Sequence, residues 1–234
     1  MEEALRIVGV PALVDLPGLV HGFEQRLGHA RGESRDEGRA RVAGALVSSG
    51  RLRLLRQVHG THVCHAPWEG TPEGDAAVAT QPGELLGIET ADCLPVLIID
   101  PVRRAVAAAH AGWRGTAAGV AARAVEAIVA KGSKPADLVA ALGPSIGVCC
   151  YEVGPEVEAA FGPAGAHFFQ AGPRARAHLD VRAANRAQLV AAGLGDAAIH
   201  DVPDCTYHQP DRYFSYRRDG RGAGRMINFV GFRV

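Results

Sequence analysis

The chain has little of what would mark a nucleic-acid binder, a membrane protein or a disulfide-built secreted domain. Of its 234 residues only two are lysines, and 25 basic side chains are balanced by 25 acidic ones. No one-signed patch for nucleic acid or an anionic membrane is implied. No run approaches the roughly 18 uninterrupted apolar residues of a spanning helix. The start, Met1-Glu2-Glu3, is acidic and lacks an apolar core, so no signal peptide is expected. Cysteines number five, and Cys149 and Cys150 are adjacent, which is a poor disulfide framework and favours a reducing cytoplasm. No P-loop and no G-x-G-x-x-G stands in a strand–turn–helix setting. There is no C-x-x-C, H-E-x-x-H or H-x-H.

What is present is apolar mass and turn punctuation. Nearly half the residues are hydrophobic, enough for a sizeable core, and neither a repeat nor a linker divides residues 1–234, so a single domain is expected. Strand-like runs arrive in consecutive pairs with few helices between them. That predicts an α+β fold, with mixed or antiparallel sheets and helices outside, not a doubly wound nucleotide fold. Helices are expected over Glu37–Ser48, capped by Ser34 or Asp36, over Gly115–Lys131 with Thr116 as cap and Gly132 beyond its end, and over Val181–Ala192 behind Asp180. Strands are expected at residues 4–23, ending at His21-Gly22-Phe23, within Arg51–His65, at Asp75–Ala79, Leu85–Glu89, Leu138–Leu142 and Ile199–Val202. Phe214–Arg217 and Met226–Arg233 read as a final strand pair, and residues 162–177 as an exposed loop.

The stretch Thr90–Gly115 organises the rest. Val96–Asp100 and Ala105–His110 are apolar runs separated by Asp100-Pro101-Val102-Arg103, a turn sequence. A hairpin there brings the far ends of both strands together, and with them Cys93 and His110. His59, in Gln57-Val58-His59-Gly60, is a third candidate at another strand-like segment. Two imidazoles and one thiolate around an open position have the composition of a catalytic zinc site. His62 and His65 recur at the same spacing, but strand neighbours three apart face opposite ways, so both are expected at the surface.

Other residues offer chemistry with a plain structural reading beside it. Asp92 can orient an imidazole, act as a base, or stabilise a turn. Trp113-Arg114 can hold a heterocycle and an anion, or cover a core edge. Ser145, in Gly143-Pro144-Ser145-Ile146-Gly147, lacks the nucleophile-elbow pattern and reads as a hydrogen-bond donor or structural turn. Cys149-Cys150-Tyr151 reads as buried, Cys205-Thr206 as a wall near a pocket, and Arg217-Arg218-Asp219-Gly220 as a turn pinned by Phe214-Ser215-Tyr216.

Taken together, His21-Gly22-Phe23 with Arg26, Gln57-Val58-His59-Gly60, Thr90-Ala91-Asp92-Cys93-Leu94-Pro95, His110-Ala111-Gly112-Trp113-Arg114-Gly115, Gly143–Gly147, Cys205-Thr206 and Ser215–Gly220 with Gly224-Arg225-Met226 resemble the laccase-domain family, also called multicopper polyphenol oxidase-like. They run in that family's order across nearly the whole chain. The resemblance implies helix, sheet, sheet and helix layers, and a metal on His59, Cys93 and His110. It implies phosphorolysis of adenosine, inosine and methylthioadenosine, and adenosine deamination, with small purine nucleosides and phosphate as the partners. Zinc is the expected metal, with copper behind it. Arg26, Arg114 and Arg217 are the cations expected to meet phosphate, with backbone amides near Ser145. The chain departs from the family after Arg26, where Gly28-His29 and Arg31-Gly32 replace the usual pattern. Copper-dependent phenol oxidation, a cysteine hydrolase using Cys93 with His110, and a non-enzymatic metal-stabilised interaction module remain as alternatives.

Overall fold

In the computed structural model, which describes residues 5–29, 32–172 and 176–234, the chain opens with β1 (Ile7–Val8), a one-turn helix α1 (Pro11–Val14) and β2 (Leu19–Glu24). A 3₁₀ turn, Arg26–Gly28, leads towards α2 (Arg35–Leu46). Ser34 caps α2 reciprocally: its hydroxyl accepts from the Glu37 N–H, and the Glu37 carboxylate accepts from the Ser34 N–H. Next come β3 (Arg51–Arg53), β4 (Val63–His65), β5 (Ala76–Ala79), β6 (Glu84–Thr90), β7 (Leu94–Asp100) and β8 (Ala105–Ala111). The helices α3 (Trp113–Ala117) and α4 (Val120–Val129) precede β9 (Val139–Leu142), α5 (Pro155–Phe161), β10 (Phe169–Ala171) and β11 (Ala177–Leu179). The chain ends with α6 (Val181–Ala191), β12 (Ile199–Asp201), α7 (Tyr216–Asp219) and β13 (Met226–Phe232).

Two mixed sheets result, ordered β1-β2-β13-β6-β3 and β12-β9-β7-β8-β5-β4, with β10-β11 as a separate ribbon. They pack face to face. Leu97, Ile99, Val106 and Ala108 of the six-stranded sheet meet Phe23, Leu86, Ile88 and Val230 of the five-stranded one. The alternate residues Val96, Ile98, Ala107 and Ala109 point the other way, against Ala121, Ala124, Val125 and Ile128 of α4 and Leu189 of α6. On the far side, Val42 and Leu46 of α2 cover Leu85, Ile227 and Phe229. The layers are therefore helix, sheet, sheet, helix, as expected. Burial on both faces explains why β7 and β8 read as continuous apolar runs rather than alternating ones. No helix among the described residues is long and apolar enough to cross a membrane.

The central hairpin forms as the turn sequence implied. The Asp100 carboxylate accepts from the N–H groups of Val102 and Arg103, both at 2.9 Å. The register then pairs Leu94 with Ala111 and Pro95 with His110.

Elsewhere local readings gave way to tertiary contacts. The helix expected over Gly115–Lys131 starts earlier and breaks: Gly119, at φ +84°, separates α3 from α4. Thr116 is inside α3, not its cap, because its hydroxyl accepts from Asn185 of α6 at 2.9 Å. Gly132 does end α4, at φ +101°. The Phe214–Arg217 segment is no strand. Ser215 accepts from the Arg218 N–H and caps α7, while β13 is already paired on both edges by β2 and β6. The strand character of Arg51–His65 survives only in β3 and β4, and His59 lies in the irregular stretch between them. The 162–177 segment holds a 3₁₀ turn, Pro163–Phe168, and β10. Met1-Glu2-Glu3, Arg31 of the loop after Arg26, and residues 173–175 lie outside the described residues.

Candidate metal centre and cleft

His110 closes β8 and is 3 % exposed, with its place set by the hairpin. Cys93 stands one residue before β7, at the same end. His59 reaches them from its loop, where its backbone adopts φ +65°, a conformation a non-glycine residue holds only when its surroundings impose it. The donor atoms of His59, Cys93 and His110 all lie within 4.8 Å of one another. Sγ of Cys93 is 3.9 Å from Nε2 of His59, and the two imidazole rings meet edge-on with centroids 4.8 Å apart.

What imposes the His59 conformation is Asp75, fully buried just ahead of β5. One carboxylate oxygen accepts from Nδ1 of His110 at 2.9 Å and from the His59 N–H at 2.8 Å. The other accepts from the N–H groups of Val58 at 3.1 Å and Gly60 at 2.7 Å. Burial works to raise the Asp75 carboxyl, but these donors outweigh it and hold it below its ordinary value. With Nδ1–H committed to Asp75, His110 turns Nε2 towards the other two donors, and a metal bound there would displace any proton it carries. Burial would raise the Cys93 thiol, yet His110 and His59 bring it down to about 6. Burial would lower His110, and the Cys93 sulfur and Asp75 push it up to about 9. Cys93 is thus poised as an anionic donor. Gly112 leaves room for the set, since a Cβ there would fall 2.9 Å from Cδ2 of His59 and 3.1 Å from the sulfur. One thiolate and two oriented imidazoles match the donor chemistry of a three-ligand metal site.

The three residues open into a cleft of about 550 Å³, bordered also by Arg114, Arg217, Arg225, Ile146, Tyr151 and Tyr216. That volume falls in the range of roughly 300–1,000 Å³ usual for small-molecule sites. Trp113 and Asp92 reach it too, but both are already engaged. The Arg114 guanidinium covers one face of the Trp113 ring at 4.1 Å, and the rest of Trp113 packs on the helix-side core. Asp92 sits at φ +95°. One of its oxygens accepts from the Thr206 hydroxyl at 2.6 Å, the other from the Arg217 N–H at 2.7 Å, and its carbonyl accepts from the Ile146 N–H. Among the described residues it orients no imidazole; it ties three loops together.

Two other candidates sit back from the cleft. The Ser145 side chain is buried and accepts from Arg182 at 3.3 Å, leaving its neighbour Ile146 to line the cavity. Arg26 stacks over Phe214 and donates to the Pro210 carbonyl at 2.7 Å. Sequence reasoning missed Asp75 as the organiser; the available sign was an aspartate directly before the apolar Ala76–Ala79. It also missed Glu89, which the Arg35 and Arg39 guanidinium groups clamp while its backbone bonds both ends of the Gln57 amide. His62 and His65 are exposed, as expected. Cys149 and Cys150 are not buried: Cys149 is exposed and Cys150 partly so.

A model of the family described as multi-copper polyphenol oxidoreductase laccase matches residues 30–233. The chain is 43% identical over 196 residues to a purine nucleoside phosphorylase of Deinococcus radiodurans, covering 83% of this chain and 76% of that one. It is 41% identical over 169 residues to the adenosine deaminase RL5 of an unknown prokaryotic organism, covering 69% and 64%. The crystal structure of Neisseria meningitidis protein NMB0706 superposes with a TM-score of 0.82 at 31% identity, covering 99% of this chain and 100% of the other.

Proposed function

Since the chain belongs to the multi-copper polyphenol oxidoreductase laccase family, we propose that it is a purine nucleoside enzyme that uses zinc on His59, Cys93 and His110 to phosphorolyse adenosine, inosine and methylthioadenosine and to deaminate adenosine. The observation that carries this reading is the convergence of those three donors in an arginine-bordered cleft. Relatives named for each reaction support it.

A bound zinc would supply a Lewis acid beside the reacting carbon and lower the pKa of a water it polarises. The protein's own groups do the rest. Asp75 fixes the His110 ring and the His59 loop, so the donors need little rearrangement. Arg114, Arg217 and Arg225 are held by a ring or by carbonyl oxygens, namely Trp113, Glu152 and Ala223 with Gly224. Among the described residues no carboxylate forms an ion pair with them, and guanidinium forks suit phosphate. Ile146, Tyr151 and Tyr216 give the purine an apolar wall. Burial and the nearby Cys93 sulfur push the Tyr151 phenol up, so it stays protonated and can donate a hydrogen bond to a ring nitrogen. Asp92, with both oxygens engaged, positions the Arg217 segment rather than moving protons.

Copper is the second reading, because two imidazoles and a thiolate also make up a blue-copper set. Such a site commonly adds a weak axial Met or Gln. Met226 is buried in β13 beside Thr90 and does not border the cleft, and both ends of the Gln57 amide are bound to Glu89. This favours zinc.

The test is incubation of the metal-free protein with adenosine, with and without phosphate, after loading with zinc or copper. Zinc is expected to restore adenine release with phosphate and inosine formation without it. Phenol oxidation restored by copper, with neither purine product under zinc, would reverse the assignment. Alkylation that blocks turnover equally with and without a chelator would point instead to Cys93 as a nucleophile with His110 as its base. His59→Ala is expected to lose both purine reactions; phosphorolysis surviving alone would separate them.

A further inference from the structure

A second group of soft donors lies outside that triad. Cys149 and Cys150 sit in a turn closed by the Gly147 carbonyl, which accepts from the N–H groups of Cys150 at 2.9 Å and Tyr151 at 3.0 Å. Cys205 opens another turn, its carbonyl accepting from the Gln209 N–H at 3.2 Å, and His208 stands on it. The two turns are brought together by a short parallel bridge between Ser145 and Cys205. Donor atoms of Cys149, Cys150, Cys205 and His208 all lie within 4.8 Å of one another. The His208 ring approaches two of the sulfurs, Nδ1 at 3.6 Å from Cys149 and Nε2 at 3.1 Å from Cys150.

We propose that Cys149, Cys150, Cys205 and His208 form a second cation site, a closed Cys₃His site of the structural zinc type. A tetrahedral zinc with bonds of about 2.3 Å to sulfur and about 2.0 Å to nitrogen spaces its donors by roughly 3.5–3.8 Å. The Cys149–His208 separation already has that value. The remaining donors are gathered by side-chain rotation at Cys149 and His208, both exposed, without moving the paired backbone. The Cys205 sulfur is already held in place, accepting from the Gly147 N–H at 3.3 Å. A side chain at position 147 would crowd this arrangement, its Cβ falling 3.1 Å from the Cys149 sulfur. On binding, each sulfur exchanges any proton it carries for a bond to the cation, and those protons leave to solvent.

Four protein donors leave no place for a reactant, so this site fastens structure, unlike the three-donor centre. What it fastens is one wall of the cleft. Tyr151 follows the cysteine pair, and Thr206, next to Cys205, donates to Asp92.

The experiment counts zinc in protein purified anaerobically with reductant, stripped and reloaded. Two ions per chain are expected for the unaltered protein, one each for Cys93→Ala and Cys205→Ser, and none for the double variant. Cobalt loaded into Cys93→Ala is expected to show a thiolate charge-transfer band that disappears when Cys205→Ser is added. If Cys205→Ser does not fold, Cys149→Ser and His208→Ala, at exposed positions, carry the same comparison; if Cys93→Ala does not fold, His59→Ala takes its place. One ion per unaltered chain that survives in Cys205→Ser, no zinc on a folded Cys93→Ala, or a disulfide between any two of the three sulfurs in zinc-loaded protein would overturn the proposal. The count is independent of turnover, so it stands or falls apart from the purine assignment.

Discussion

Asp75 accepts a hydrogen bond from Nδ1 of His110 at 2.9 Å, and the same carboxylate collects the N–H groups of Val58, His59 and Gly60. One buried side chain therefore sets the ring orientation of one candidate ligand and the left-handed backbone of another.

Asp75→Asn keeps the shape and removes half of that acceptor capacity. Zinc affinity is expected to fall by about 10–100-fold, the usual effect of losing a carboxylate behind a ligating histidine. Stability should drop by about 1–3 kcal/mol from backbone donors left unpaired. Chelator competition and a thermal melt measure the two; unchanged affinity would remove Asp75 from the metal centre.

Gly112→Ala should separate site from fold. The added methyl would come 2.9 Å from the His59 ring and 3.1 Å from the Cys93 sulfur, while position 112 has an ordinary extended backbone. Metal content at the three-donor centre and turnover are expected to fall far more than the melting temperature. Full zinc occupancy with full activity would show that the donors have slack to spare.

Thr206→Val tests the tie between loops. Valine fits the buried volume but leaves one Asp92 oxygen without the 2.6 Å hydroxyl donor, at a cost of about 1–3 kcal/mol. Asp92 also holds the Arg217 N–H at 2.7 Å, so KM for phosphate should rise several-fold while kcat changes less. Equal falls in kcat and kcat/KM would place the effect on the reaction itself instead.

Acid should act through Glu89. Burial works to raise this carboxyl, but Arg35 and Arg39 hold it below its ordinary value. A carboxylate depressed in the folded state contributes its stability above the unfolded pKa, about 4.3, and loses it as pH falls through the lower folded value. The melting temperature should decline on acidification below about pH 4, with a shallower slope in Glu89→Gln. That variant should also be less stable at pH 7, by less than the roughly 3–5 kcal/mol of a fully buried broken pair, because Arg35 is half exposed. Parallel slopes would assign the acid sensitivity to other carboxylates.

The amino-acid sequence by itself determined the two-sided apolar runs of β7 and β8, the Asp100 turn between them and hence the meeting of Cys93 with His110, because hairpin register follows from local turn chemistry and a period of two. It also determined the α+β class and the cap at Asp180, and narrowed the cap of α2 to Ser34 or Asp36. Only the tertiary structure decided where His59 goes, since an irregular loop carries no periodicity and is shaped by a carboxylate sixteen residues away. Only it broke the helix at Gly119, turned Ser215 into a cap, moved Arg26 and Ser145 back from the cleft, and gathered Cys149, Cys150, Cys205 and His208. Each of those outcomes depends on partners distant in the chain, and no local pattern encodes a contact made across the fold.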